Sequence, residues 1–374
     1  MLLKKRFVKL KTLCAQIRGV SYTPKDVRDT PAEGYLPILR ANNIQDKITS
    51  DDLVYVNHKK IGAEQLLKEG DILICASSGS KNLVGKAAMV HDLAIQPASF
   101  GAFCKVVRPV KIYAPYVAHF FNSSYYRNTI SHIAQGANIN NIRNEHINDL
   151  DIPYPDRKEQ KQIAERLDKV QELITLQKEQ LTKLDDLIKS RFIDLFGDPI
   201  TNPRGWPLKR MGDLYYLKAG QTTKANVIHP YSEDYSVPCY GGNGIRGYVQ
   251  TSTYEGIFPI IGRQGALCGN IQLASGKFHA TEHAVLVTPL KGDQPLYVYH
   301  LLKDMNLYRF HGGAAQPGLA VKTLNEINII DVPHNLQTQF ADFVTKIEAQ
   351  KGLLTTRLSH LETLYKSLMQ EYFG

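Results

Sequence analysis

Two stretches of the chain carry apolar residues in the alternating four-and-three spacing of a coiled-coil helix. The first stretch, residues 156–197, contains no proline, and its first glycine is Gly197. Its seam positions are Ile163, Leu167, Val170, Ile174, Leu181, Leu184, Ile188 and Leu195, with the polar residues Gln177 and Arg191 interrupting them. Gly197 followed by Pro199 predicts the helix end. A helix of this length would span roughly 60 Å, so we expect it to pack against a second helix.

The second stretch, residues 336–374, repeats the first at a shift of 177 positions. Residues 160–164 fall on residues 337–341, and the closing Phe-Gly of the first stretch falls on that of the second. The seam recurs as Phe340, Val344, Ile347, Leu354, Leu358, Leu361, Tyr365, Leu368 and Tyr372. Polar and apolar seam positions do not coincide between the copies, since Gln177 matches Leu354 and Lys351 matches Ile174. We therefore expect two helices of one chain that pair with each other in an antiparallel manner.

The repeat extends upstream of both helices. At a shift of 186, residues 70–74 match residues 256–260, and at a shift of 201 Asn42 matches Asn243. The chain is thus a globular part and a long helix, twice. The predicted parts are residues 1–155, 156–197, 198–335 and 336–374.

Within the globular parts, short apolar runs alternate with turn residues. We predict strands at residues 71–76, 87–90, 103–107, 257–261 and 284–288. Single helices are predicted at residues 113–131 and 295–308. The fold class is α+β: two sheet-rich domains, two long antiparallel coiled-coil helices and an internal pseudo-twofold repeat.

The net charge of +9 lies in the globular parts. Residues 1–155 carry 20 Lys and Arg against 13 Asp and Glu, a net charge of +7. Residues 198–333 carry 12 against 10, and the two helical segments are neutral. A surface that binds phosphates would produce this distribution, although a merely basic protein would as well.

The sequence favours a binding protein over an enzyme. His279, Glu282 and His283 spell H-x-x-E-H, the pattern of one class of zinc protease. That chemistry needs both histidines on one helical face, and here the motif runs into a predicted strand. We find no nucleophile and base pair in a motif context, and we expect no metal site.

The five cysteines are odd in number and never spaced as C-x-x-C. No apolar run is long enough to cross a bilayer, and the first residues lack the apolar block of a signal peptide. We therefore expect a reduced, cytoplasmic protein that does not contact a membrane.

Loops rich in glycine, serine and asparagine offer amide and guanidinium groups, which suit base edges. Such clusters usually only make turns, and that alternative stays open for each of them. Arg246 and Arg263 are the better candidates, because both fall on predicted loops. The candidate DNA-contacting residues are Arg40, Asn42, Ser77, Ser78, Ser80, Lys81, Asn82, Gln135, Asn138, Asn140, Asn243, Arg246, Arg263, Gln264 and Gln316.

Taken together, these features resemble the specificity (S) subunit of type I restriction–modification systems, over essentially the whole chain. The short sequence motifs that carry the resemblance are residues 36–40 with 42–44, residues 70–74, residues 159–163, residues 191–197 and the Thr-Glu-His-Ala of residues 281–284. The last of these motifs gives the apparent zinc motif a non-catalytic explanation. The second domain departs from the family by being short and barely basic.

The resemblance implies two target-recognition domains, each of which reads one half of a split, asymmetric DNA sequence in the major groove. It implies that the helices set the spacing between the halves and dock two methyltransferase subunits. Restriction (motor-nuclease) subunits would join them. Two reading domains at opposite ends of an antiparallel helix pair would face the same side of a duplex when about one helical turn, roughly 34 Å, separates them. The chain itself would be non-catalytic, with S-adenosylmethionine, ATP and Mg²⁺ bound by its partners. The seam residues assigned to the docking helices are Ile163, Leu167, Val170, Leu181, Leu184, Phe340, Val344, Leu358 and Leu361.

Two other functions stay open at this point. The chain could be a coiled-coil scaffold whose globular parts bind protein instead of DNA, or, least favoured, an enzyme with a zinc site.

Overall fold

The computed structural model describes residues 6–80, 83–136, 141–312 and 317–374, and leaves the side chains of residues 134–136 undescribed. The chain forms two compact units. Unit 1 consists of Met1–Gln177 with Arg357–Gly374, and unit 2 consists of Lys178–Thr356. Each unit therefore combines one globular part with portions of both long helices.

Unit 1 is built mainly from short strands. They are β1 (Phe7–Lys9), β2 (Cys14–Arg18), β3 (Val27–Arg28), β4 (Tyr35–Leu39), β5 (Val54–Asn57), β6 (Ile72–Cys75), β7 (Ala87–Met89), β8 (Ser99–Phe100), β9 (Cys104–Pro109) and β10 (Asp151–Pro153). Two four-stranded sheets have the orders β2-β9-β6-β7 and β3-β5-β4-β8, and β1 pairs with β10. The three strands predicted in this part are confirmed, with ends that differ by one or two residues.

The helices of unit 1 differ from the prediction at one point. They are α1 (Ala114–Phe120), α2 (Ser124–Gly136), α3 (Asn144–Asn148) and the first half of α4 (Arg157–Phe196). The single helix predicted at residues 113–131 is wrong, because the chain breaks between α1 and α2. The hydroxyl of Ser123 accepts the backbone N–H of Tyr126 at 3.2 Å and so starts a second helix.

Unit 2 repeats this plan with fewer, longer strands. They are β11 (Leu208–Arg210), β12 (Tyr215–Ala219), β13 (Val237–Gly241), β14 (Gly244–Val249), β15 (Tyr254–Gly262), β16 (Ile271–Ala280), β17 (Ala284–Pro289) and β18 (Asn328–Ile330). The helices are α5 (Met211–Leu214), α6 (Pro295–Asp304), α7 (Val321–Asn325) and α8 (His334–Phe373). One six-stranded sheet has the order β12-β17-β15-β16-β13-β14, and β11 pairs with β18 as β1 does with β10.

Two predictions in unit 2 need correction. The helix predicted at residues 295–308 ends at Asp304, since Asn306 has a left-handed backbone with φ of 48° and a 3₁₀ turn follows it. The segment around Arg246, which the sequence predicts to be a loop, is mostly strand. β13 and β14 form a tight hairpin, and Gly244, at φ of 99°, supplies the backbone that this turn needs.

Helix α4 ends where the sequence predicts. Gly197 has φ of 77°, and its N–H donates to the carbonyl of Ile193 at 2.8 Å, which is a left-handed C-cap. None of the helices among the described residues is long and apolar enough to cross a membrane.

In unit 1 the core encloses the start of α4 and the end of α8. Ile163 and Leu167 of α4 are buried together with Met369 and Phe373 of α8. The helices run antiparallel here, because Arg166 near the start of α4 donates to the hydroxyl of Tyr372 at 3.3 Å. The antiparallel pairing predicted from the seam is therefore seen within unit 1.

In unit 2 the core encloses the other halves of the same helices. Phe192 and Phe196 of α4 meet the ring of Phe340 of α8 edge-on, at ring distances of 5.4 and 5.7 Å. Lys351, the polar residue that interrupts the second seam, donates to Asp185 of α4 at 2.7 Å. At this end the seam prediction was one position off, since Phe192 and Phe196 are fully buried while Leu195 is half-buried.

Candidate nucleic-acid interface

Three turns of unit 1 meet at one end of its sheets. They follow β4, β6 and β8 and bring together Arg40, Ser77 and Phe103. The backbone N–H of Gly101 donates to the carbonyl of Leu39 at 2.9 Å, and that of Ser77 donates to Phe103 at 3.0 Å. Backbone hydrogen bonds therefore fix the turns to one another and leave their side chains available.

The three turns enclose an open cavity of about 430 Å³. Its lining includes four of the predicted DNA-contacting residues, which the structure thus brings together. The lining residues are Tyr22, Arg40, Ala41, Asn42, Ser77, Ser78, Gly79, Gly101, Phe103 and Cys104. Hydroxyl, amide and guanidinium groups in one concave site are suited to the donors and acceptors of base edges.

Arg40 is held in place by Asp52. Its guanidinium Nη2 donates to the carbonyl oxygen of Asp52 at 2.6 Å and to the carboxylate at 2.8 Å. Asn42 donates to the same carboxylate at 3.0 Å. The Nε atom of Arg40 is buried and has no hydrogen-bond partner among the described residues. Since buried polar atoms are usually paired, this atom is a candidate donor to a ligand.

Phe103 lies at the rim of the cavity and was not predicted as a site residue. Its side chain is 71% exposed, which is unusual for phenylalanine. The sequence placed it at the start of a strand, whereas the structure places it in the turn before β9. An exposed aromatic ring beside polar groups can contact a thymine methyl group or stack on a base.

Unit 2 builds the same arrangement from its own turns. The backbone N–H of Arg263 donates to the carbonyl of His283 at 3.1 Å, as Ser77 donates to Phe103 in unit 1. The N–H of Thr281 donates to the carbonyl of Tyr240 at 2.9 Å. The repeat found in the sequence is therefore a repeat of the site as well.

Two glycines permit the close approach of the turns in unit 2. A Cβ atom on Gly262 would collide with the carbonyl oxygen of Gly242, and one on Gly242 would crowd the carbonyl of His283. Glycine is the residue that lets two backbones approach this closely.

The equivalent positions differ in chemistry. Ser77 of unit 1 corresponds to Arg263 of unit 2, and Phe103 corresponds to His283. Ala102, which precedes Phe103, corresponds to Glu282. At these three positions the same backbone thus presents neutral side chains in unit 1 and ionisable ones in unit 2.

Arg246 lies on strand β14 and is exposed, whereas the sequence had assigned it to a loop. Its aliphatic part covers Gly241, where a Cβ atom would collide with it. Its charge helps to lower the pKa of Glu282. Asn243, in the adjoining turn, accepts a hydrogen bond from Asn270 at 2.6 Å.

The H-x-x-E-H residues serve the sheet and its turns. His279 lies on β16, where its Nε2 and Nδ1 are 2.8 and 3.1 Å from the hydroxyls of Thr223 and Thr253. Burial lowers the pKa of His279, so its imidazole is neutral at pH 7. In the parts of the chain that the structure describes, no group of three His, Cys, Asp or Glu residues could hold a metal ion.

The remaining predicted site residues have varied positions. Lys81, Asn82, Asn138, Asn140 and Gln316 lie outside the described residues. The backbone of Gln135 belongs to the last turn of α2, not to the predicted loop, and its side chain is likewise outside the description. Ser80 and Gln264 are exposed, and Gln264 forms a backbone bridge with Gly318.

The seam residues assigned to docking occupy two environments. Ile163, Leu167, Val170, Phe340 and Val344 are buried, whereas Leu181, Leu184, Leu358 and Leu361 are half-buried. The buried ones hold the helices inside their own unit, so a partner would contact other side chains. A second set of apolar side chains on the helices is exposed by 40% or more, namely Leu173, Leu176, Leu187, Ile193, Leu353 and Leu364.

Comparison with known proteins gives a family for this arrangement. A family model described as the type I restriction modification DNA specificity domain matches residues 4–186 and again residues 203–363. The two matches follow the internal repeat.

Two curated relatives match about half of the chain. The StySPI type I restriction enzyme specificity subunit of Salmonella potsdam is 43% identical over 180 residues, which cover 48% of this chain and 38% of that protein. The EcoKI specificity subunit of Escherichia coli K12 is 42% identical over 180 residues, with the same coverage. The matched segment thus spans well under half the length of these relatives.

A solved structure matches the fold over nearly the whole chain. The S subunit of a type I restriction–modification system from M. genitalium aligns with a TM-score of 0.68 and 16% identity. The alignment covers 99% of this chain and 97% of that one. At this identity the likeness establishes the fold.

Proposed function

Since the chain belongs to the family of type I restriction modification DNA specificity domains, we propose that it is the DNA-specificity subunit of a type I restriction–modification enzyme. Unit 1 and unit 2 each read one half of a bipartite DNA target. The halves differ, so the target is asymmetric.

One observation carries this proposal: the two units hold equivalent sites with different side chains. Ser77 and Arg263 make the same backbone hydrogen bond at the two sites, to Phe103 and His283 respectively. Two domains that recognise different DNA sequences require this combination of a duplicated backbone and divergent side chains. Duplicated protein-binding modules would not need base-edge donors at the same point of each copy, so the scaffold alternative is not favoured.

The reading side chains lie on turns that the sheets fix. Arg40 is fixed by Asp52, and Arg263 is fixed through its backbone by His283. Arginine donates to the O6 and N7 atoms of guanine, and asparagine pairs with adenine in the major groove. Base contacts of this kind discriminate, while phosphate contacts supply most of the affinity.

The helices dock the partner subunits in this proposal. Their exposed leucines, among them Leu176 and Leu353, supply apolar area that a methyltransferase subunit could cover. Two methyltransferase subunits bind the chain, and restriction subunits join them. S-adenosylmethionine, ATP and Mg²⁺ are bound by those partners, and the chain is non-catalytic. That the helices also set the spacing of the two half-sites stays a prediction from the sequence.

A selection on randomised duplex DNA tests the proposal. The chain, produced together with the methyltransferase subunits of its own system, is incubated with the library at moderate salt, and bound duplexes are sequenced. We expect enrichment of two short motifs at a fixed spacing. Enrichment of no sequence would contradict the proposal.

A variant adds a second readout to this selection. Arg246→Ala should relax the preference in one motif by about 1–3 kcal/mol and leave the other motif unchanged. Arg210→Ala is the matched control, because Arg210 pairs with the exposed Glu326 and lies outside the three turns. A uniform loss of affinity on every sequence would reassign Arg246 to a phosphate contact.

A further inference from the structure

The site of unit 2 contains a carboxylate, which is unusual on a face that meets DNA. Glu282 lies in the turn between β16 and β17 and is 33% exposed. One of its oxygens accepts the backbone N–H of Thr223 at 3.2 Å, and the other lies 3.3 Å from Nε2 of His283. A carboxylate has about four acceptor positions, so Glu282 keeps acceptor capacity on its exposed side.

Glu282 is ionised at neutral pH. Partial burial acts to raise its pKa, but hydrogen bonds from the backbone N–H groups of Glu282 and Thr223 and the charges of His283 and Arg246 together lower it. The group can therefore accept hydrogen bonds but cannot donate them.

This property restricts what Glu282 can contact on DNA. A carboxylate repels phosphates, and in the major groove its available donors are the amino groups of cytosine and adenine. Arg263 lies beside it in the same cluster of turns, and arginine is suited to guanine. Because guanine pairs with cytosine, the two side chains are complementary to one base pair.

The fold does not require this carboxylate. In unit 1 the equivalent turn contains Ala102, and it makes the same backbone hydrogen bond, from Ser77 to Phe103. The turn therefore forms without a charge at this position. The two sites share one backbone architecture. They differ in chemistry, because unit 2 has the charged residues Arg263 and Glu282 where unit 1 has Ser77 and Ala102.

Three buried polar atoms at this site have unused hydrogen-bonding capacity. Nε of Arg263, Nδ1 of His283 and the hydroxyl of Thr281 have no hydrogen-bond partner within the described part of the chain. Thr281 is fully buried. Since an unpaired buried polar atom is unfavourable, a bound partner that pairs these atoms would be favoured.

From these observations we infer that unit 2 reads a G·C base pair, with Glu282 accepting from the amino group of cytosine and Arg263 donating to guanine. This inference rests on the proposed function and names the base pair for one of the two half-sites. The site of unit 1, which has Ala102 and Ser77 at these positions, reads its half-site by other contacts.

The selection described above tests the inference when it is repeated with Glu282→Gln. Glutamine keeps an acceptor oxygen for Thr223 and adds a donor, and this combination favours adenine. We expect the preference for cytosine at one position of one motif to fall about 10-fold, while Arg263 still favours guanine in the paired strand and so opposes a full change to adenine. Arg263→Ala should relax guanine at the paired position.

Two further variants complete the experiment. Glu165→Gln makes the same charge change on the exposed face of α4, where Glu165 pairs with Lys161, and should leave both motifs unchanged. Ala102→Glu adds a carboxylate to the exposed turn of unit 1 and should add a preference for cytosine to the other motif. This variant keeps the test decisive if a change at Glu282 were to unfold unit 2.

The outcomes separate the two claims. Two enriched motifs of which neither changes with Glu282→Gln or Ala102→Glu would overturn the G·C assignment and leave the proposed function standing. No enriched motif with the unaltered chain would overturn the proposed function, and the G·C assignment with it.

Discussion

Arg108 and Asp71 form a two-point ion pair inside unit 1. The guanidinium Nε lies 2.7 Å from Oδ1, and Nη2 lies 2.7 Å from Oδ2. The carboxylate is 1% exposed and the guanidinium 17%. Asp71 precedes β6 and Arg108 lies on β9, the two strands whose ends hold Ser77 and Phe103. The pair therefore stabilises the two strands that position Ser77 and Phe103 in the candidate DNA interface.

Asp71→Ala should destabilise the protein strongly, because it leaves a largely buried guanidinium without its counter-charge. We expect a loss of about 3 kcal/mol in the free energy of unfolding of unit 1, measured by urea denaturation. The matched control is Asp151→Ala, which removes the partner of Lys9 in an exposed pair with 43% and 45% exposure. That change should cost less than about 1 kcal/mol. Equal losses for the two variants would mean that burial of the pair is unimportant.

His300 should make the stability of unit 2 depend on pH. Burial, with the nearby charges of Lys303 and Lys351, lowers the pKa of this histidine from 6.5 to about 4. Its ring meets that of Phe340 edge-on at 5.3 Å. In the unfolded chain the pKa is near 6.5, so below that pH the unfolded state binds the extra proton first. The contribution of His300 to stability is therefore full above pH 6.5 and is lost as the pH falls toward 4.

The expected size of this effect at pH 5 is about 2 kcal/mol relative to pH 7.5. Urea denaturation of the unaltered chain and of His300→Phe at both pH values measures it. The variant cannot bind this proton. Its free energy of unfolding should therefore fall by about 2 kcal/mol less than that of the unaltered chain when the pH is lowered from 7.5 to 5. An identical pH dependence in both proteins would show that His300 does not titrate as described.

Phe103→Ala should weaken DNA binding without lowering stability. The ring is 71% exposed, so its removal costs the fold little, but it takes away an apolar contact at one half-site. We expect a several-fold loss of affinity and a reduced preference at one position, measured by fluorescence anisotropy on the enriched duplex. Phe7→Ala is the control, since Phe7 is 52% exposed on β1 of the same unit. If both variants bind alike, Phe103 does not contact DNA.

The exposed leucines of the helices should matter for assembly and not for folding. Leu187 and Leu353 of unit 2 are 45% and 65% exposed. The double variant Leu187→Lys and Leu353→Lys should change stability by less than about 0.5 kcal/mol per site. It should reduce co-purification of the methyltransferase subunits, because an apolar surface becomes charged. The control is Ser359→Lys on the exposed face of α8. Undiminished co-purification of the double variant would place the partner elsewhere.

The repeat and the long helices could be predicted because their signals are local. A 3.5-residue period and a closing Phe-Gly need no tertiary information. The break between α1 and α2 could not be predicted in this way, since the capping hydroxyl of Ser123 competes with a continuous apolar period. At the end of α4, Phe192 and Phe196 are buried by the globular part of unit 2, which shifts the buried face away from the predicted seam.

Part of the site could also be predicted, because some of its signals are local in the sequence. Turn residues such as Ser77 and Arg263 could be found from composition. Phe103, Glu282 and His283 were missed as DNA-contacting residues, because each adjoins a strand in sequence and its position depends on a hydrogen bond to a residue about 20 or more positions away. The equivalence of Phe103 and His283 corresponds to a shift of 180 positions, and the matching backbone hydrogen bonds of the two units reveal it.

The central claim is that two different sites of one chain read two halves of one target. The most direct test measures the affinity of the chain, with its methyltransferase subunits, for three duplexes. One duplex carries both enriched motifs, and in each of the others one motif is scrambled. We predict that scrambling either motif weakens binding at least 10-fold, as the loss of about 1–3 kcal/mol per base contact requires. Unchanged affinity after either motif is scrambled would contradict the claim that both units read sequence.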